Sequence, residues 1–314
     1  MKKIFLNNYG SVDVLREVNE PIPAPGSNQI LIKLAAISVN DPDVIIRQNG
    51  PFPTMPPEFR PTLPHMLGQD FSGIVTQIGD AVTKFQVGDY VVGFAMKGTY
   101  AEYIAIDENS PVATVPSDLD LIPLGGLYVA AATAWSAVIK NGQVQKGQRV
   151  LIHGAAGGVG SMAVQIAKNA GAYVIATAGG YSRNYLKELG VDEIIDYKTQ
   201  DFSTIVHDID LVINTTGSVT LEKSYKVVKN GGRICSTHGV PDKEKASELG
   251  IEAIYSLADL STDTLNSIID LYSSRKLKVS VSKLYHFTLE DIKTAHLDFE
   301  KGPNQGKRII SFSL

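Results

Sequence analysis

A glycine-rich stretch in the middle of the chain carries the clearest chemical signal. It reads VLIHGAAGGVGSMAVQIAK from Val150 to Lys168, between an apolar strand and a helix-period segment. Glycines spaced three apart let backbone N–H groups face a pyrophosphate, and the helix N-terminus adds a field of about half a unit charge. Tight strand–helix turns also recruit glycine, but here the strand, the helix and the next strand all fall where a dinucleotide site requires them. The sequence therefore predicts a nucleotide-binding turn at Gly154, Ala156, Gly157, Gly158, Val159 and Gly160.

The end of the next predicted strand bears on which nucleotide binds. From Thr177 to Gly180 there is no carboxylate to hold the ribose 2′-hydroxyl of NAD. Ser182 and Arg183 follow, with Lys187 one turn later. A hydroxyl and a guanidinium match a 2′-phosphate in charge and donor geometry, although Ser182 could instead cap the next helix and Arg183 could lie on a solvated face. We therefore predict NADPH as the cofactor, with Thr177, Ser182 and Arg183 in its site.

Loops after the other parallel strands supply further candidates, because the carboxyl ends of such strands line the cofactor crevice. Tyr197, after the third strand, could lie alongside the adenosine phosphate or be a half-buried surface tyrosine. The loops after the fourth and fifth strands are expected to flank the nicotinamide and ribose, and they contain Asn214, Thr215, Thr216, Gly217, His238 and Gly239.

Two regions with different sequence patterns must position these residues. Residues 1–115 hold short β-like runs with Gly and Pro between them, such as QILIKLAA at 29–36, which suits a compact antiparallel barrel. From about 118 to 275, strands alternate with helix-period segments, including predicted helices at 158–170, 182–189 and 219–229, so a parallel sheet covered by helices is expected. Thr288, three positions before Asp291, should begin a last helix that ends at Gly302. The closing run KRIISFSL should form a strand that rejoins the barrel. The predicted domains are 1–117 with 278–314, and 118–277.

Composition limits the classes of function. The 314 residues carry a formal net charge of −4, which gives no electrostatic reason to bind nucleic acid or an anionic membrane. The single cysteine, Cys235, excludes an intrachain disulfide and a four-cysteine zinc lobe, and a reducing cytoplasm is the simplest home. No signal-peptide core follows the first lysines. The uncharged run from Leu121 to Ile139 is interpreted as a buried helix over about 127–140, since it lacks the basic flanks of a membrane span.

Several stretches together resemble one enzyme family. They include LGQDFSGIVTQIGDAVTKFQVGDYVVG, ATAWSAV, VLIHGAAGGVGSMAVQIAKNAGAYVIAT, LGVDEIIDY, LEKSYKVVKNGGRI and NQGKRIISF. The chain resembles the medium-chain dehydrogenase/reductase superfamily over essentially its whole length, in the zinc-free quinone oxidoreductase branch and with similarity to alkenal/one and enone oxidoreductases. The resemblance implies an α/β architecture: a GroES-like β-barrel substrate domain, a Rossmann domain with a doubly wound parallel sheet, a cleft between them, and a homodimer formed through the Rossmann domain.

The same resemblance argues against a catalytic metal. The zinc-dependent branch has a cysteine where this chain has Asn40, and Gly-His-Glu where it has Gly68-Gln69-Asp70. A catalytic zinc needs three good protein ligands and an open position, so we expect no metal site. His65 lies nearby, but its place in a loop between Pro64 and Met66 favours a surface or packing residue.

Further site residues follow only from the resemblance. It maps a substrate-side asparagine onto Asn40, which could instead form an Asx-type turn, and it places Thr133 near the nicotinamide, where a threonine bonded to its own helix backbone is the alternative. Lys307, followed by Arg308, occupies the family's basic C-terminal position and is expected to reach a cofactor phosphate. Asp43 and Arg47 match the family as a structural or cleft-edge pair. Ile45 stands where the family often has tyrosine, which weakens a tyrosine-donor mechanism.

Two functions remain open at this point. One is an NADPH-dependent reductase of quinones or α,β-unsaturated carbonyls, with the small-molecule substrate as its partner. Hydride transfer to the β-carbon of an enone develops negative charge on oxygen, which a neutral donor such as the Asn40 amide can stabilise while water supplies the proton. The alternative is a catalytically weak NADPH-binding structural or sensor protein of the same family. The loop from Asn49 to Pro64, with six prolines, is expected to be functional or a lid, but its shape cannot be derived.

Overall fold

A ten-residue apolar strand, Gln29–Ser38, organises the sheet of the N-terminal part of the chain. Its aliphatic and β-branched side chains favour extended backbone, and all but two of its residues are buried. One edge pairs with Asp70–Ile78, whereas the other pairs first with Tyr103–Asp107 and then with Lys307–Ser311. The C-terminal strand therefore rejoins the N-terminal sheet, as the sequence predicts.

This computed structural model describes residues 1–55, 57, 60–302 and 305–313. Three residues of the proline-rich loop, Pro56, Glu58 and Phe59, lie outside the described residues. The strands are β1 (Lys2–Leu6), β2 (Leu15–Asn19), β3 (Gln29–Ser38), β4 (Asp70–Ile78), β5 (Tyr90–Phe94), β6 (Tyr103–Asp107), β7 (Val112–Thr114), β8 (Arg149–His153), β9 (Tyr173–Ala178), β10 (Glu193–Asp196), β11 (Ile209–Asn214), β12 (Val228–Ser236), β13 (Glu252–Tyr255), β14 (Val281–His286) and β15 (Lys307–Ser311). The helices are α1 (Asp41–Asn49), α2 (Leu121–Leu124), α3 (Tyr128–Trp135), α4 (Gly158–Asn169), α5 (Arg183–Glu188), α6 (Phe202–Ile205), α7 (Ser218–Ser224), α8 (Lys243–Glu248), α9 (Thr262–Ser273) and α10 (Leu289–Lys301).

By packing, the chain divides into two units, and the first comprises Met1–Val129, Leu260–Ile269 and Val279–Leu314. Its larger sheet has the order β14-β15-β3-β4-β5-β7, with β6 also paired to β3. These pairings are antiparallel except β14 with β15, which run parallel. Buried aliphatic and aromatic side chains from the strands, α1 and α10 form its core. This is the GroES-like unit of the fold.

The second unit comprises Ala130–Asp259 and Asp270–Lys278, and it holds the parallel sheet. The strand order is β10-β9-β8-β11-β12-β13, with every neighbouring pair parallel. The chain order therefore reverses between β8 and β11. In sheets of this type the crevice at the carboxyl ends of the two strands flanking the reversal is where ligands bind. This is a Rossmann-type arrangement.

The observed elements differ from the predicted ones in two places. The helix predicted over 219–229 ends at Ser224, because Val228 already pairs with Ile209 in the sheet. The buried helix predicted over about 127–140 is α3 followed by a π-helical stretch over Ser136–Lys140. The packing division first crosses from one unit to the other at 129/130, and the domain boundary predicted at 117/118 stays a prediction. Among the described residues no helix is both long enough and apolar enough to cross a membrane.

Candidate functional site

The turn between β8 and α4 requires glycine at two of the predicted positions. Gly154 has a φ of +67°, and a Cβ there would lie 2.4 Å from the hydroxyl oxygen of Thr215. A Cβ on Gly160 would lie 2.2 Å from the carbonyl oxygen of Gly154, so only glycine lets α4 pack this closely on the turn. Gly157 precedes α4 in an extended conformation and has no side chain to cap the helix, so the first backbone N–H groups of α4 remain free to bind a ligand. The turn therefore has the form of an anion cradle and fits a dinucleotide pyrophosphate.

A buried histidine that the sequence analysis did not single out lies beneath this turn. His153, the last residue of β8, contacts the hydroxyl of Thr177 through Nδ1 at 2.8 Å and the hydroxyl of Ser224 through Nε2 at 3.1 Å. The Ser224 hydroxyl donates its own proton to the carbonyl of Thr220, so it accepts from Nε2–H. Nδ1 is then the acceptor of the Thr177 proton. Burial lowers the pKa of His153 to about 3, which keeps the ring neutral.

Thr177 is therefore placed at the carboxyl end of β9, as predicted, but its hydroxyl points into the protein. The side chain is buried and donates to His153. Contact with a cofactor would be made by its backbone or methyl group while this bond persists.

Asn214 fastens two loops at the carboxyl ends of β11 and β12. Its amide nitrogen lies within hydrogen-bonding distance of the carbonyl oxygens of His238 (2.8 Å) and Gly217 (3.2 Å) and of the Ser236 hydroxyl (3.0 Å), and its Oδ1 accepts from the Thr216 hydroxyl. The side chain is fully buried. Asn214 thus shapes the loops that carry Thr215, His238 and Gly239.

The predicted residues around these loops lie together at one edge of the parallel sheet. Thr215 donates to the carbonyl of His153 at 2.7 Å and so ties the β11 loop to the glycine turn. Gly239 has a φ of +84°, and a Cβ there would lie 3.1 Å from the Ser218 hydroxyl. Thr133 lies elsewhere in the chain, on α3, where it is half-buried, and its expected place near the nicotinamide stays a prediction.

The corner after β9 and β10 is more exposed. Ser182 is fully buried at the start of α5, whereas Arg183 and Lys187 are exposed on that helix. Tyr197 is 58% exposed, so it is a surface residue able to meet a ligand. Two further residues join this corner, because the Lys198 ammonium lies 5.8 Å from the ring centroid of exposed Tyr181. An exposed aromatic next to cations is the signal that could have identified them.

In the first unit, Asn40 belongs to a buried polar cluster. Its amide nitrogen donates to Oδ1 of Asp70 at 3.0 Å and to the Ser38 hydroxyl at 3.3 Å, and its Oδ1 accepts from the ammonium of Lys307 at 2.5 Å. Ser38 also donates to Asp70, at 2.7 Å. Lys307 and Asn40 are therefore brought together, which the sequence does not indicate. The expected contact of Lys307 with a cofactor phosphate stays a prediction, and it would require the ammonium to leave Asn40.

Burial is the main influence on the ionisation of this cluster, and its charges modify that effect. Asp43 accepts from the backbone N–H of Asn40 and of Gly68, each at 2.8 Å, yet burial and the nearby Asp70 raise its pKa to about 7. Burial lowers the pKa of the Lys307 ammonium, and the Asp70 and Asp43 carboxylates oppose that effect. A carboxylate oxygen of Asp70, Oδ2, lies 3.9 Å from the ammonium of Lys307. The cluster is compact and nearly closed to solvent.

Asp43 and Arg47 contact different partners rather than each other. Asp43 binds backbone N–H groups, whereas Arg47 forms an ion pair with Glu300 and donates to Nδ1 of His296 at 3.3 Å. Because Nδ1 accepts, Nε2 of His296 carries the proton and donates to the Tyr100 hydroxyl at 2.9 Å. These contacts tie α1 to α10 and are structural.

The residues aligned with the zinc ligands are Asn40, Gln69 and Asp70. They offer one carboxylate and two neutral amides, and Asn40 and Asp70 already bond to each other. In the part of the chain that the structure describes, no group of three or more His, Cys, Asp or Glu residues could hold a metal ion. His65 pairs through its backbone with Leu6, as expected of a packing residue.

Comparison with known proteins agrees with both units. Residues 26–117 match the alcohol dehydrogenase GroES-like domain family, and residues 189–310 match the zinc-binding dehydrogenase family. The chain is 31% identical to a 2-methylene-furan-3-one reductase of Solanum lycopersicum, over 99% of this chain and 79% of the relative. It is 32% identical to a chloroplastic NADPH-dependent alkenal/one oxidoreductase of Arabidopsis thaliana, over 76% of this chain and 63% of the relative.

A solved structure extends the likeness to the whole chain. The quinone oxidoreductase of Coxiella burnetii is 32% identical, covers 99% of both chains and superposes with a TM-score of 0.89. Together with the glycine turn at the reversal of the parallel sheet and the GroES-like unit, these similarities show that the chain belongs to the quinone oxidoreductase branch of the medium-chain dehydrogenase/reductase superfamily.

Proposed function

We propose that the protein reduces quinones or α,β-unsaturated carbonyl compounds with NADPH and without zinc. The observation that carries this proposal is the glycine turn between β8 and α4. Its two enforced glycines, Gly154 and Gly160, make room for a pyrophosphate at a helix N-terminus. The reduced nicotinamide would supply the hydride.

Preference for the phosphorylated cofactor is supported by the corner after β9. Arg183 and Lys187 are exposed there, and no acidic residue ends the strand itself. A guanidinium can donate two parallel hydrogen bonds to the 2′-phosphate of NADPH. The 2′-hydroxyl of NADH cannot accept such a pair. The Arabidopsis relative is an NADPH-dependent enzyme by name, which agrees with this preference.

A reaction without a metal requires a hydrogen-bond donor to the substrate oxygen, and the presence of such a donor supports the proposed substrate class. Negative charge develops on the acceptor oxygen, and a neutral N–H in a water-poor setting stabilises it. The Asn40 amide provides such a donor, and its long 3.3 Å contact with Ser38 is the one that a substrate oxygen could replace. The proton that completes the reduction comes from water. Independence from zinc is supported by the donor set of Asn40, Gln69 and Asp70, since neutral amides are poor zinc ligands.

The resemblance supports two further proposals. The substrate domain is assigned to 1–117 and 278–314 and the cofactor domain to 118–277. Two copies of the chain would form a homodimer through the cofactor domain.

One observation favours the second candidate, a catalytically weak NADPH-binding structural or sensor protein. Both amide protons of Asn40 already have buried acceptors, Asp70 and Ser38. If neither bond exchanges for a substrate, the cofactor turn would remain functional while turnover would be slow.

A steady-state assay separates the two. NADPH oxidation is followed with 1,4-benzoquinone and with a 2-alkenal, and NADP⁺ reduction is followed with ethanol. The proposal expects turnover with a conjugated acceptor and none with ethanol, because alcohol oxidation requires loss of the hydroxyl proton, which a bound zinc would make feasible. NADPH binding with no turnover would establish the second candidate, and robust ethanol oxidation would overturn the mechanism.

A further inference from the structure

The parallel sheet supplies a carboxylate where the end of β9 lacks one. Asp196 is the last residue of β10, and it lies in register with Ala178, the last residue of β9. A Cβ built on Gly180 would lie 2.5 Å from Oδ2 of Asp196. A side chain at position 180 would therefore begin where the carboxylate of Asp196, on the neighbouring strand, already lies.

The carboxylate is held in this position by its own loop. Oδ1 of Asp196 accepts from the backbone N–H of Lys198 at 3.0 Å, and the Asp196 N–H donates to the Gln200 side chain at 3.1 Å. The backbone N–H of Tyr197 adds a 3.3 Å bond to the carbonyl of Ala178, which keeps the ends of β9 and β10 together. Asp196 is half-buried, so its carboxylate remains accessible from solvent.

This carboxylate opposes the cations of the same corner. Exposed Arg183, Lys187 and Lys198 would attract a phosphate dianion. A carboxylate among them repels that dianion, and it accepts a hydrogen bond from a ribose 2′-hydroxyl, the role that an acid at the end of the second strand has in NAD sites.

We infer that Asp196 is a specificity-determining residue that limits the preference for NADPH and permits NADH to bind. The inference rests on the proposed function, because it concerns the same cofactor site. The sequence of β9 ends without an acid, but Asp196 supplies a carboxylate to this site from the neighbouring strand β10.

Direct binding tests the inference without depending on turnover. The dissociation constants of NADPH and NADH are measured by fluorescence titration for the unmodified protein and for Asp196→Asn, which keeps an acceptor for the Lys198 N–H. Removing one charge next to a dianion is expected to raise the ratio Kd(NADH)/Kd(NADPH) about tenfold, and the change should shrink at high salt. Glu248→Gln is the matched control, because it removes one exposed charge on α8, which packs on β13 at the opposite edge of the sheet.

A second variant tests the same point while keeping the charge. Gly180→Ala introduces a Cβ that displaces Oδ2, and it should raise the ratio in the same direction if Asp196→Asn fails to fold. If the unmodified protein binds neither dinucleotide, the proposed function and the inference both fail. If it binds them and the ratio in the folded variant equals that of the control, the inference alone is overturned.

Discussion

The ammonium of Lys307 donates to the side-chain oxygen of Asn40, although 267 positions separate the two residues. This bond fixes which way the amide faces, because an ammonium can only donate and Oδ1 must accept. The N–H groups of Asn40 consequently face Ser38 and Asp70. Any part that Asn40 plays in chemistry therefore depends on a basic residue from β15.

Replacing Asn40 tests its role as a donor. If the amide stabilises the developing oxyanion, Asn40→Ala should lower kcat about 10²-fold or more, by analogy with loss of one oxyanion donor. The affinity for NADPH should not fall, because the glycine turn belongs to the other unit and the variant leaves it intact. A urea denaturation curve shows whether the first unit of the variant folds, since the Lys307 ammonium loses its acceptor there. A variant with unchanged kcat would confine Asn40 to the buried polar cluster.

Arg183 should determine how tightly the phosphorylated cofactor binds. In Arg183→Ala the dissociation constant of NADPH is expected to rise about ten- to a hundredfold, because a charge-assisted hydrogen bond contributes about 1.5–3 kcal/mol. That of NADH should hardly change. Lys243→Ala, an exposed cation on α8, serves as the control. Equal losses of NADPH and NADH affinity in the variant would remove Arg183 from the site.

Turnover should not depend on a bound metal. Exhaustive chelation is expected to leave the rate with a quinone unchanged, and elemental analysis should find less than one zinc per chain. The reason is the donor set of one carboxylate and two amides at Asn40, Gln69 and Asp70. A stoichiometric zinc whose removal abolishes turnover would contradict this expectation.

His296 should make the first unit sensitive to acid. Burial, with Arg47 adding to it, lowers the pKa of His296 to about 3, against an unperturbed value of 6.5. Between these values the unfolded chain binds the additional proton, so the free energy of unfolding falls as the pH drops below 6.5, by about 1.4 kcal/mol per pH unit for this group. His296→Gln can keep both hydrogen bonds of the ring and should reduce the proton uptake on unfolding by one.

Urea titrations at several pH values between 4.5 and 7 measure this uptake. The difference between the variant and the unmodified protein isolates His296 from His153, whose pKa burial also lowers to about 3, and from Asp43, whose raised pKa acts in the opposite direction. His207→Gln is the control, because its ring is exposed and replacing it should leave the slope unchanged. A slope unaltered in His296→Gln would mean that the ring is not buried neutral.

Local signals in the sequence predicted much of this fold, and long-range contacts account for what they missed. The Thr288 cap, the Gly302 end of α10 and the glycine turn are fixed by neighbours in sequence, and the structure has them as predicted. The helix predicted to 229 failed because pairing with β11 draws Val228 into a strand. The contact of Lys307 with Asn40 and the approach of Asp196 to Gly180 depend on strand register, which no local pattern records.

The pairing of β15 with β3 also orders events during protein synthesis. One edge of β3 pairs with β6 over Gln29–Lys33, but Ala36–Ser38 gain their partner on that edge only when residues 307–311 have been made. Asn40 and Arg47 likewise await Lys307 and Glu300. Apart from a short segment, the second unit is made of contiguous residues, Ala130–Asp259 and Asp270–Lys278, all synthesised earlier. Domains fold as units while the chain emerges. The Rossmann unit can therefore form on the ribosome, whereas Ala36–Ser38 at the edge of β3 lack a partner strand until β15 is translated.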